Sequence, residues 1–149
     1  MGTRSLTTFI STWKEEKTGK VKKEKIVTMY RQYDGYPTGH GNELAEFIAQ
    51  GKMVNGISCN EQGLVFNGMG CLAAQVVAHF KDGAGGFYLH RGGTTNCGEE
   101  YRYEIIDNEE TRELTFKCIE VWGKGKTLYE GSVQGFLEFV QKEKEKEEV

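Results

Sequence analysis

Polar and apolar residues alternate over residues 4–11, with Leu6, Thr8 and Ile10 on one side, the period-two pattern of a half-buried strand. Residues 25–33 alternate in the same way. The charged stretch 12–24 between them carries Thr18-Gly19 at its tip, so the two runs predict a β-hairpin with a solvated, lysine-rich end. Pro37 pushes its predecessor out of helical geometry and residues 38–42 offer several caps. A helix is therefore predicted from near Asn42 to Gly51, burying Leu44, Phe47 and Ile48.

Residues 53–59 read as a short apolar stretch and 60–63 as a turn. A second helix is predicted behind Asn67 as cap, with Leu72, Val76, Val77 and Phe80 on one face. Short strands follow at 87–90, 100–106, 113–122 and 127–130, with a Gly- and Thr-rich loop at 91–98 and turns at 107–112 and 123–126. Ser132 caps a last helix that presents Val133, Phe136, Leu137 and Val140. This order predicts an α+β fold. An antiparallel sheet, made of the N-terminal hairpin and the C-terminal strands, is covered on one face by two to three helices. One domain is expected over residues 1–141, with the Lys/Glu run 142–149 as a charged solvated tail.

Composition narrows the function classes. The chain has 149 residues, a net charge of -3, and 20 glycines against one proline. Its acidity argues against a nucleic-acid duplex or an anionic membrane as partner, since both reward a basic surface. No apolar run approaches the ~20 residues of a membrane span, and the N-terminus lacks the apolar core of a secretory signal, so a cytoplasmic protein is expected. Cys59, Cys71, Cys97 and Cys118 are scattered without a Cys-x-x-Cys pair, which signals neither a zinc site nor a disulfide framework. No metal and no cofactor are expected.

The densest chemistry lies in residues 30–42, Tyr-Arg-Gln-Tyr-Asp-Gly-Tyr-Pro-Thr-Gly-His-Gly-Asn. Aromatic faces, a guanidinium and glycine-freed amides at a helix start suit a small polar or anionic ligand. The ligand-binding set expected from this reading is Arg31, Gln32, Tyr33, Asp34, Tyr36, Thr38, His40 and Asn42, with the 38–42 amides and Arg31 on an anion. Asn67 and Met69 open a second helix start of the same kind, and Arg4, Tyr88 and Arg91 are candidate contacts from neighbouring segments. Residues 91–96, after His90, are read as a flap over the site. Tyr88, Tyr101, Tyr103 and Trp122 fall on or beside strands, where an aromatic at a pocket wall can stack a base. The alternative to a pocket is a strand-to-helix turn with packed tyrosines.

Cys71 opens an enzymatic reading. A thiol at a helix start is acidified by the dipole, and with His90 or His40 as base it would make a hydrolase of the papain-like layout. A polar site at Asp34 and His40 is the other hydrolytic option. Against these stands the bland reading, in which Cys71 is a small core residue beside Leu72 and Ala73.

Residues 2–7, 29–41, 67–75 and 86–88 together resemble a family of small uncharacterised proteins carried by bacteriophages and some bacteria. The resemblance implies a phage context, in which small proteins counter host defence by sequestering a cyclic or ADP-ribose-type nucleotide. The function expected on this basis is a non-enzymatic sponge for a nucleotide-like signal in the cytoplasm of an infected host, with a homo-oligomer left open. A hydrolase or a structural protein-interaction factor are the alternatives.

Overall fold

The computed structural model describes residues 2–54, 63–108 and 113–147. Two long strands open the chain, β1 (Ser5–Lys14) and β2 (Val21–Arg31), paired antiparallel as the hairpin pattern predicts. A π-type turn, Pro37–Gly41, runs into α1 (Asn42–Ala49). Short strands β3 (Lys52–Val54) and β4 (Val65–Asn67) pair in parallel and lead to α2 (Gly68–Phe80). Then come β5 (Phe87–Arg91), β6 (Tyr101–Asp107), β7 (Leu114–Glu120), β8 (Lys126–Ser132) and α3 (Val133–Glu147). Residues 55–59 of the expected apolar stretch, the expected turn up to residue 62, and residues 109–112 of the later turn lie outside the described residues.

The result is the α+β architecture that the pattern predicts, a six-stranded sheet in the order β5-β2-β1-β6-β7-β8 with helices on one face. The inward side chains Phe9, Met29, Tyr103, Ile105, Phe116 and Cys118 meet Leu44, Phe47 and Ile48 of α1, Leu72 and Val76 of α2, and Phe136 and Val140 of α3 in one core. Ser132 caps α3 as expected, its Oγ accepting the Gly135 amide at 3.0 Å.

The sheet is mixed where an antiparallel one is expected. β1 and β6 run parallel, from Ser5 opposite Tyr101 to Ser11 opposite Asp107, while the other pairings of this sheet are antiparallel. The cause is the return from β5 to β6. Strand β5 sits at the edge beside β2, so the chain must cross β2 and β1 to reach β6, and residues 92–100 do this as a strap on the face opposite the helices. The Gly93 amide donates to Thr28 Oγ1 at 2.9 Å, and the Glu100 amide donates to the Arg4 carbonyl at 2.9 Å. The Glu99 carboxylate receives Arg102 Nε and the Cys97 amide, each at 2.7 Å. Burial opposes the charged form of Glu99, but these bonds outweigh it and hold its pKa below the usual range. Leu6 and Ile10 are buried on the face the strap crosses, which makes β1 a strand covered on both sides. The strap is thus a structural crossover and not a flap over the helix face.

Residues 142–147 continue α3 without a break, helped by the Lys146–Glu143 pair at 3.4 Å one turn apart.

Candidate functional site

The stretch 32–42 leaves β2 beside β1 and folds into a closed loop. Asp34 takes a left-handed conformation with φ of 56°, which turns the chain back on itself. The Tyr103 hydroxyl, rising from the middle of the sheet, donates to the Gly35 carbonyl at 2.6 Å. Only glycine fits at 41, since a Cβ there would lie 2.7 Å from the Tyr103 hydroxyl. The backbone donors of the loop are used internally. The His40 amide donates to the Asp34 carbonyl at 2.6 Å, and those of Gly39 and Gly41 donate to the Tyr36 carbonyl at 2.9 and 3.4 Å. The Asn42 amide donates to the Gly39 carbonyl, and the Asn42 side chain donates to Glu46 Oε1 at 3.0 Å. The expected anion cradle at 38–42 is therefore closed at positions 39–42, because a π-type turn spends on itself the donors that a free helix start would offer.

His40 is a core residue, 1% exposed, with its ring edge-on to Phe80, Phe87 and Tyr103 at 5.1, 6.2 and 6.4 Å between centroids. Its Nδ1 has no hydrogen-bond partner. Burial, reinforced by the nearby Arg31 charge, lowers its pKa to about 3 and keeps the imidazole neutral. Arg31 lies over the Tyr33 ring at 4.6 Å and donates from Nε to the Tyr33 carbonyl at 3.3 Å. Among the described residues no carboxylate stands within ion-pair distance of it.

A cavity lies against the same loop. It is an open cleft of about 730 Å³ between the π-type turn, the ends of β6, β7 and β8, and the outer half of α3. Tyr36, Pro37 and Thr38 of the loop line it, and Tyr101, Leu128 and Phe139 add apolar and aromatic surface. Glu120, Glu143 and Glu147 face Lys126 around the rim. The rim field is negative, and the adjacent Asp34, with smaller contributions from burial and from Glu147, raises the Tyr36 pKa. Burial and the Glu120 charge raise that of Tyr101.

Of the expected ligand-binding residues, Tyr36 and Thr38 line this cleft. The others are dispersed. Gln32 is tied through its amide to the Gly86 carbonyl at 2.9 Å, and Tyr33 packs on Gly86. Asp34 accepts the Tyr36 hydroxyl at 3.3 Å. Arg4 lies against Gly98 of the strap, Met69 is buried in the core, and Asn67 ends β4 without capping α2. Tyr88 packs near Tyr30 on the strap face, and the Arg91 carbonyl holds Thr94. The rim residues Glu120, Lys126, Glu143 and Glu147 carry no signal in the sequence, because each reads as an ordinary surface charge on its own element. Tyr101 does carry one, as a strand aromatic fit for a pocket wall.

The thiol-hydrolase residues are not brought together. Cys71 stands in the first turn of α2, next to Gln75 Nε2 at 3.6 Å, whereas His40 packs on Phe80 at the last residue, nine positions or about 13 Å along the axis. His90 lies on the strap face against Tyr30. Asp34 and His40 meet through the loop backbone, with the imidazole turned into the core. No protein-family model, no curated protein and no solved structure matches this chain.

Proposed function

We propose that the protein is a non-enzymatic binding module that sequesters a nucleotide-like small molecule in the cleft between the π-type turn and α3. The observation that carries this reading is the lining itself. Tyr36, Tyr101 and Phe139 offer faces on which a flat base can stack, and the rim carboxylates suit the hydroxyls of a sugar. A ribose diol is a double donor that a carboxylate accepts in place of water, the role an acidic residue plays in dinucleotide sites. With three carboxylates against one lysine at the rim, the nucleoside end of the ligand is the end that is gripped. In the phage setting that the sequence resemblance implies, such a module works by removing a defence signal from the cytoplasm of the host.

Among the described residues the lining contains neither cysteine nor histidine, so the thiol route has no nucleophile there among them. Calorimetric titration with adenosine, ADP and ADP-ribose tests the reading. Adenosine is expected to bind, and the phosphates are expected to change its affinity by less than about tenfold, ~1.4 kcal/mol. Absence of binding by all three compounds overturns it.

A further inference from the structure

Trp122 is 61% exposed, the most exposed of the large apolar side chains among the described residues. It stands on the turn that joins β7 to β8, between Glu120 and Lys126, both of which line the cleft. The Val121 amide donates to the Glu100 carbonyl at 2.9 Å, which holds the start of this turn beside Tyr101 of the cleft. Trp122 is thus two residues from one lining residue and four from another, on a bend beyond the end of β7. The turn beyond it is closed by the Gly125 amide, which donates to the Trp122 carbonyl at 3.0 Å. Gly123 and Gly125 adopt φ of 61° and 79°, and a Cβ at Gly123 would meet nothing within 4 Å.

An indole left in water on a turn beside an aromatic cleft is unburied surface that a planar ligand would cover. Building on the nucleotide-binding reading, we infer that Trp122 is the second stacking face of the site, closing on the base from the side opposite Tyr101 and Phe139. The turn 121–125 is then the part of the cleft that selects for a flat aromatic group.

The chain has two tryptophans, and Trp13 lies at the far end of β1, eight residues or about 27 Å from the cleft-side Ser5. A Trp13→Phe variant makes Trp122 the sole reporter. Adding ADP-ribose or adenosine should shift its fluorescence and protect it from acrylamide quenching. In calorimetry Trp122→Ala should weaken binding by at least about tenfold, Trp122→Phe should retain most of it, and melting should change little for so exposed a residue. Binding that leaves Trp122 open to the quencher and Trp122→Ala unimpaired overturns this inference and leaves the cleft intact. Failure of the wild type to bind either compound overturns both.

Discussion

Tyr103 and Gly35, 68 positions apart, share a buried hydrogen bond of 2.6 Å that fastens the organising loop to the centre of the sheet. The loop has a second fastening in His40, whose ring lies against Tyr103 from the other side. Burial pushes the Tyr103 pKa well up, so the phenol remains a donor throughout the working range. The walls formed by Tyr36 and Thr38 therefore depend on a residue that never reaches the cleft.

Tyr103→Phe removes the donor and leaves the Gly35 carbonyl buried without a partner. A loss of about 1–3 kcal/mol is expected, read as a melting temperature lower by roughly 2–4 °C per kcal/mol for a chain of this size. Unchanged melting would show that water replaces the phenol and that the loop is held elsewhere.

His40 makes the fold sensitive to acid. Its folded pKa of about 3 lies below the ~6.5 of an unfolded histidine. Its contribution is thus complete above pH 6.5 and declines as the pH falls toward 3, since the unfolded chain takes up the proton first. At pH 5 the loss amounts to about 2 kcal/mol. Among the described residues the charge that bears on the ring is that of Arg31, which disfavours the imidazolium further. Urea midpoints at pH 8 and pH 5 should differ more for wild type than for His40→Leu. Equal differences would contradict the assignment.

The strap is tested at Gly92, where a Cβ would run into the Lys25 carbonyl. Gly92→Ala is expected to cost about 1–3 kcal/mol through the backbone shift it forces, measured by denaturant unfolding. Because the strap lies on the face opposite the helices, ligand affinity should be preserved at temperatures where the variant is folded.

Local signals were readable where one element carried them alone. The face of α1 follows from Leu44, Phe47 and Ile48, and the start of α3 from the Ser132 cap, because spacing and side-chain chemistry act within a few residues. The direction of β1 against β6 was not readable, since alternation is the same in parallel and antiparallel pairs and the strap that decides it has no periodicity. The richness of residues 30–42 singles this loop out. It did not reveal that the amides of positions 39–42 turn inward and that His40 is core, both consequences of the π-type turn closing against Tyr103. The cleft gathers residues from Tyr36 to Glu147, and no single segment announces it.

The central claim is that the ligand occupies the cleft beside Tyr36 and not the surface at Arg31. Tyr36 is 39% exposed, and the contacts described for the Arg31 side chain are with the exposed Tyr33 alone, its carbonyl and its ring, so both can be replaced by alanine with little effect on folding. The decisive measurement is calorimetric titration of wild type, Tyr36→Ala and Arg31→Ala with ADP-ribose, with melting curves on each protein. The account predicts that Tyr36→Ala lowers affinity by about tenfold or more, the scale of one lost stacking face, while Arg31→Ala binds as wild type does. An Arg31→Ala variant that loses binding while Tyr36→Ala retains it would contradict the account.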